Sequence, residues 1–276
     1  MEVLAMFDLS MFSLKGKTAI VTGGSRGIGK AIAVGFARAG ATVVVTSRKI
    51  ADLEATAAEI QSFGGKAFPI QAHLAKMEEI QKMVDASMDN LNGRIDILVN
   101  NAGTAPAAAG VLEAEERLWD VIINLNLKSL YFTSQAVGRV MKKQGGGKII
   151  NIGSIDGLKP HKDVSIYSIS KAAVRMATQA FATELAGCNI QVNSILPGPI
   201  QTQMLQSTWM ALPDEKQDVN RSKFEKSLPT GRIGHTDEIV GAAVYLASNA
   251  SSYTSGAEVI IDGALQLDSP MNDAQG

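Results

Sequence analysis

The sequence contains a single cysteine, Cys188, among 276 residues. A lone thiol rules out an intrachain disulfide and leaves no second cysteine for a thiolate zinc site, which points to a reducing compartment. Excess charge of either sign is also missing: 26 basic residues face 27 acidic ones, giving a formal net charge of -1. Without a positive field the chain has no electrostatic means of holding nucleic acid. No run approaches the ~20 apolar residues of a membrane span. The first residues carry Glu2 and Asp8, where a secretory leader would be basic. The expectation is a cytoplasmic protein with no membrane or nucleic-acid partner. Internal repeats, low-complexity tracts and Pro/Ser-rich linkers are absent too, so nothing marks a second domain.

What the chain does have is a 46% hydrophobic content, enough for a large core. From residue 18 onward, short β-branched runs alternate with longer amphipathic segments, the pattern of repeated βα units on a parallel sheet. Strands are expected at 18–21, 42–46, 66–70, 95–100, 148–152, 190–196 and 258–261, with helices between most of them. Seven strands predict one doubly wound α/β sheet with helices on both faces. Gly40, Gly64-Gly65 and Gly145-Gly146-Gly147 follow helical periodicity, where positive φ suits glycine. Residues 1–13 read as an added arm, 14–265 as a single domain and 266–276 as a tail. The alternation breaks at 199–229, where Met204, Trp209, Met210 and Leu212 are scattered among polar residues. That stretch is either a lid or a surface helical excursion. Its apolar residues favour a partly hydrophobic small-molecule substrate.

The first strand runs into Thr22-Gly23-Gly24-Ser25-Arg26-Gly27-Ile28-Gly29 and then a helical stretch. Glycines at 23, 27 and 29 let the backbone approach a pyrophosphate, and the amides at a helix start favour an anion. The spacing is GxxxGxG rather than GxGxxG. Gly24 to Lys30 also matches the start of a triphosphatase loop, but that loop needs a Ser or Thr next to hold magnesium, and the residue here is Ala31. After the second strand comes Ser47-Arg48 with no carboxylate. An acid there would bind the ribose 2′-hydroxyl of NAD, whereas a basic residue suits the 2′-phosphate of NADP. Arg26 offers a second guanidinium, so NADP(H) is expected over NAD(H).

Tyr167 and Lys171 are four residues apart in a helical segment, 164–185, and so share a face. An ammonium beside a phenol stabilises the phenolate, which makes the hydroxyl a better proton donor near neutral pH. A YxxxK pair alone is common by chance. Ser154 adds weight because it directly follows the fifth strand, where ligands bind in such sheets. Asn100-Asn101-Ala102-Gly103 ends the fourth strand, and Asn126 falls in the long segment 115–141. Among the three histidines, His161 could line the substrate mouth or be a solvated loop residue. His235 precedes Thr236-Asp237-Glu238, which reads as a helix start. Their spacing with His73 does not form a metal site.

With TGGSRGIG at 22–29, NNAG at 100–103, NLNLKS around Asn126, NIGS ending at Ser154, YSISK at 167–171 and PGPIQT at 197–202, the chain resembles the short-chain dehydrogenase/reductases, and within them the 3-oxoacyl-[acyl-carrier-protein] reductases, over about 14–265. The resemblance implies a single-domain Rossmann fold and a tetrad of Asn126, Ser154, Tyr167 and Lys171. Tyr167 would protonate a carbonyl oxygen held by Ser154, Lys171 would bind the nicotinamide ribose, and Asn126 would hold a water. Asn124 lies two residues earlier; Asn126 is preferred for its apolar-Asn-Leu context before Ser129.

The cofactor contacts implied are Gly23, Ser25, Arg26, Gly27, Ile28 and Gly29 in the turn, then Ser47 and Arg48. His73 and Leu74 would meet the adenine, although His73 stands where the family commonly has Asp. Asn100, Ala102 and Gly103 follow, with Tyr167 and Lys171, then Pro197, Gly198, Ile200 and Thr202. Ile261-Asp262-Gly263-Ala264 departs from the paired glycines usual at the end. A homotetramer packed through 115–141 and 164–185 is also implied. The substrate stays open among a 3-oxoacyl thioester, a small ketone, a sugar-derived ketone and a steroid, and a catalytically idle dinucleotide sensor is the competing class.

Overall fold

A computed structural model describes residues 8–210 and 214–267. Seven strands form one sheet in the order β3-β2-β1-β4-β5-β6-β7. They are β1 (Thr18–Thr22), β2 (Thr42–Ser47), β3 (Lys66–Gln71), β4 (Ile97–Asn100), β5 (Gly147–Ile152), β6 (Ile190–Pro197) and β7 (Glu258–Ile261). Every pairing is parallel, from Thr18 opposite Thr42 to Ser194 opposite Glu258.

Side chains alternate across a strand, and both faces of this sheet are covered, so the central strands are apolar throughout. One face presents Ala19, Val21, Val43, Val45, Ile97, Val99, Ile150 and Ile195. These pack beneath α1 (Gly27–Arg38), α2 (Ile50–Ser62) and α9 (Val240–Ala247). The other face presents Ile20, Val44, Leu98, Ile149 and Val192 to α3 (Met77–Asn90), α5 (Ser129–Gln144) and α6 (Ser165–Leu185). The chain order reverses between β1 and β4, and the crevice at their carboxyl ends is where such sheets bind ligands.

Three details differ from the sequence reading. The β4 ladder begins at Ile97, not residue 95, because the Asp96 carboxylate takes the Thr18 amide (3.0 Å). Helix α1 begins at Gly27 rather than 30, its glycines forming the first turn. Segment 115–141 is not one helix: α4 (Glu116–Ile123) and α5 are joined by a π-turn, Asn124–Lys128, closed by the Ser129 amide on the Asn124 carbonyl. Region 199–229 holds α7 (Gln203–Met210) and α8 (Asp214–Lys226). Leu212 lies outside the described residues, as do the side chains of Trp209 and Met210, the arm up to residue 7 and the tail from 268. Among the described residues, no helix is long and apolar enough to cross a membrane.

Phe36, fully buried on α1 against the sheet, sets the height of that helix above β1 and β2. Phe36→Ala is expected to cost about 3–5 kcal/mol through the cavity it leaves. Urea denaturation followed by circular dichroism measures it, and a loss below ~1 kcal/mol would mean that the helix settles freely into the space.

Candidate active site

The glycine turn is built by hydrogen bonds from three strands. Gly23 and Gly24 donate to the Thr46 carbonyl (2.8 and 3.3 Å), and Gly23 and Gly27 sit at φ of 65° and 55°. The Thr22 hydroxyl accepts from the amides of Asn101 (2.9 Å) and Ala102 (3.1 Å), locking the end of β1 to the end of β4. The Asn101 side chain donates to the Thr22 and Gly23 carbonyls (3.0 and 3.2 Å). Helix α1 has no side-chain N-cap and no acid in its first turn. Its leading amides at Gly27, Ile28 and Gly29 have no intrahelical acceptor and face the crevice as an anion cradle.

On the β2 and β3 side, the buried Ser47 hydroxyl and His73 Nδ1 have no hydrogen-bond partner among the described residues. Buried polar atoms are normally paired. Ser47 ends β2 and His73 lies two residues past β3, so these two orphans at the carboxyl ends of adjacent strands fit a ligand with hydroxyl and ring-nitrogen groups, as a dinucleotide's adenosine has. Leu74 is buried in the core, with its backbone beside His73. Arg48 is exposed, and its carbonyl is fixed by Gln71 (2.8 Å). Arg26 is exposed too, and its guanidinium binds the Gln203 side chain at the start of α7, tying the turn to the lid region.

At the other end of the crevice, the four residues expected to act together converge. Lys171 is buried on α6, and its Nζ donates to the Ile152 carbonyl at the end of β5 (2.8 Å) while lying 5.6 Å from the Tyr167 ring centroid. Ser154, two residues past that carbonyl, accepts from the Asp156 amide (3.1 Å), and its hydroxyl is near enough to Tyr167 to oppose the rise in the phenol's pKa. The π-turn swings Asn126 inward, where it is 1% exposed. Its Oδ1 accepts from the Thr104 amide (2.8 Å), and its Nδ2 donates to the Thr104 carbonyl (3.0 Å) and the Ser170 hydroxyl (3.1 Å). A Cβ on Gly103 would stand 3.4 Å from Asn126 Oδ1 and 3.7 Å from Lys171 Nζ, so that glycine keeps the space between them open. Asn124 is less buried, and its side chain has no hydrogen bond among the described residues.

Burial pushes the Tyr167 hydroxyl up to about 12; the Ser154 hydrogen bond opposes this and the Asp156 carboxylate adds to it. Burial pulls the Lys171 ammonium down to about 8, against the nearby Asp156 carboxylate, which raises it. This differs from the expectation of a phenol made more acidic by the neighbouring ammonium: burial outweighs every other influence on Tyr167, and Lys171 is not among the groups that shift it.

The remaining expected contacts are spread along the crevice. The Gly198 amide donates to the Ile261 carbonyl (2.9 Å), and a Cβ at Gly198 would come within 2.7 Å of Asp262. Gly198 follows Pro197 at the end of β6. Ile200 is buried and bridges to Gly234, and the Thr202 methyl packs near Gly27. The Asn100 side chain turns inward to Ser134 (2.8 Å) and Asn151 (2.9 Å), which leaves its backbone for a ligand.

The structure also brings in residues the sequence reading passed over. Asn101 braces the turn, and Asp156 faces the tetrad. Arg175 grips Glu258 with two bonds of 2.8 Å while donating to the Gly157 carbonyl (2.9 Å). The roles of Asn101 and Arg175 have no local signal, since their partners lie 79 and 83 positions away, and Asp156 is set apart by Ser154 and His161, two and five residues from it.

At Gly29, a Cβ would collide with the Gly23 carbonyl and the Asn101 side chain. Gly29→Ala is therefore expected to weaken dinucleotide binding about tenfold or more, in line with the strain of overpacking. Fluorescence titration measures it, and unchanged affinity would show that the turn does not form the cradle.

The chain matches the family described as short chain dehydrogenase over residues 17–212. It is 37% identical to the 3-oxoacyl-[acyl-carrier-protein] reductase FabG of Thermotoga maritima, over 92% of this chain and 99% of that protein. It is 38% identical to 2-dehydro-3-deoxy-D-gluconate 5-dehydrogenase of Escherichia coli, over 92% and 97%. Its fold is similar to a gluconate 5-dehydrogenase from Burkholderia cenocepacia crystallised with NADP and tartrate (33% identity, TM-score 0.86, 95% and 99% covered). With the doubly wound sheet, the glycine turn and relatives spanning nearly the whole chain, this protein is an oxidoreductase of the short-chain dehydrogenase family.

Proposed function

We propose that the protein is an NADP(H)-dependent oxidoreductase that interconverts a ketone or aldehyde and an alcohol, with Tyr167 as general acid and base. The observation that carries this reading is the Lys171 bond to the Ile152 carbonyl (2.8 Å), which holds the Tyr167 and Lys171 face of α6 at the carboxyl edge of β5, where Ser154 stands. A bound nicotinamide supplies or takes the hydride. Ser154 holds the substrate oxygen, and Tyr167 gives that oxygen its proton in reduction or removes it in oxidation. Lys171 steadies the phenolate and holds the ribose, and Asn126 keeps the Thr104 loop against α6 beside it.

Preference for NADP(H) rests on the exposed Arg48 and Arg26, on the orphaned Ser47 hydroxyl next to Arg48 in sequence, and on the absence of a carboxylate directly after β2. The lid proposed at 199–229 would close over the crevice from α7, whose Gln203 already binds Arg26. A homotetramer is supported by large apolar side chains exposed on α4, α5 and α6: Trp119, Val121, Tyr131, Phe132, Ile169 and Met176. Such a patch marks an interface.

Tyr167→Phe is expected to lower kcat by about 10²–10⁴-fold, the usual contribution of a positioned acid, while still binding NADPH. The loss of NADPH absorbance with a carbonyl panel tests this, and turnover equal to the unmutated enzyme would remove Tyr167 from the chemistry. Arg48→Ala is expected to raise the KM for NADPH about tenfold or more through loss of a charged hydrogen bond, leaving that for NADH unchanged. An equal effect on both cofactors would refute the 2′-phosphate reading. Sedimentation equilibrium is expected to give four chains, shifting to smaller species in Tyr131→Glu; a monomer before mutation would refute the assembly.

A further inference from the structure

The turn after Ser154 carries a carboxylate that the reaction just described does not use. Asp156 sits two residues past Ser154, and its amide donates to the Ser154 hydroxyl oxygen (3.1 Å). That bond holds the carboxylate beside the residue that grips the substrate oxygen. The group is 23% exposed, and it lies near enough to Tyr167 and Lys171 to act on the charge of both. Its Oδ1 is paired with His161 Nδ1 at 2.5 Å, and His161 is 53% exposed at the rim. Its other oxygen, Oδ2, takes no hydrogen bond from the described residues. The turn itself is held rigidly. Arg175 binds the Gly157 carbonyl, and a Cβ at Gly157 would stand 2.7 Å from the Lys171 carbonyl carbon, so the turn lies directly on α6.

An ionised carboxylate accepts hydrogen bonds and donates none. Placed beside the oxygen-binding hydroxyls, it attracts a donor on the substrate and repels an anion. A hydroxyl on the carbon next to the carbonyl is such a donor. A simple ketone or a 3-oxoacyl thioester has no donor at that place. We propose that Asp156, oriented by His161, binds the hydroxyl adjacent to the reacting carbonyl, so that the enzyme's substrates are hydroxy ketones and the matching vicinal diols. This rests on the reductase reading above and narrows it to one of the open substrate classes. His161 fixes one carboxylate oxygen and leaves the other free for the substrate.

The test uses full-length enzyme with NADPH and matched ketones: acetoin against 2-butanone, 2-hydroxycyclohexanone against cyclohexanone, and acetoacetyl-CoA as the thioester. The hydroxy ketones are expected to exceed their deoxy partners in kcat/KM by about tenfold or more, the scale of a hydrogen bond to a charged group. In Asp156→Asn that ratio is expected to collapse toward one. In His161→Phe, at an exposed position where misfolding is not at issue, it is expected to fall part of the way. Should Asp156→Asn fold poorly, the ratio in the unmutated enzyme and its change in His161→Phe still decide. Equal kcat/KM within each pair, or reduction of acetoacetyl-CoA above all hydroxy ketones, overturns this inference and leaves the reductase intact. A ratio unchanged in Asp156→Asn overturns it too. Turnover of none of the five compounds overturns both readings.

Discussion

The bond from Lys171 Nζ to the Ile152 carbonyl is the contact on which the site depends. It ties α6 to the carboxyl end of β5, so the tyrosine one turn earlier on the helix and the serine two residues beyond the strand meet across a short gap. The same bond supplies a partner to a lysine that burial would otherwise neutralise. Ser170, next to Lys171, receives the Asn126 amide, so the π-turn is braced by the same helix. Three elements distant in sequence are thereby joined around one ammonium.

That arrangement needs a rigid frame, and the sheet supplies it. Both faces of β1, β2, β4 and β5 are buried, so none of these strands can slip register without moving apolar side chains out of one core and into the other. Inside the frame runs a line of polar bonds, from Ser134 through Asn100 and Asn151 to Thr178, linking β4, β5, α5 and α6. Buried networks of this kind fix one arrangement when every member is satisfied. Asn100 belongs to that line, which explains why its side chain is unavailable to a cofactor.

The strands were legible in the sequence because β-branched runs bounded by glycine have few other readings; Tyr167 and Lys171 stood out by their spacing of four on one helix face, and Ser154 by its place just past β5. The π-turn was not, since Asn-Leu-Asn-Leu-Lys has the composition of an ordinary helix and only its closing bond, Ser129 to Asn124, distinguishes it. Asp156 and Arg175 were hidden for another reason. A charged residue in a loop or on a helix usually reads as solvated, and what sets these two apart is contact with Ser154, His161, Gly157 and Glu258. The 199–229 stretch gave no pattern because, among the described side chains, none on α7 or α8 belongs to the main cores.

The central claim is that the Lys171 charge supports the Tyr167 proton transfer. Burial pulls Lys171 down to about 8, so its charge is present below that pH and lost above it. The direct measurement is the pH dependence of kcat/KM for carbonyl reduction by the unmutated enzyme and by Lys171→Arg, whose guanidinium stays charged throughout. The account predicts a fall above pH of about 8 that disappears, or moves well upward, in the variant even where its overall rate is lower. The same falling limb at the same pH in both enzymes would contradict it.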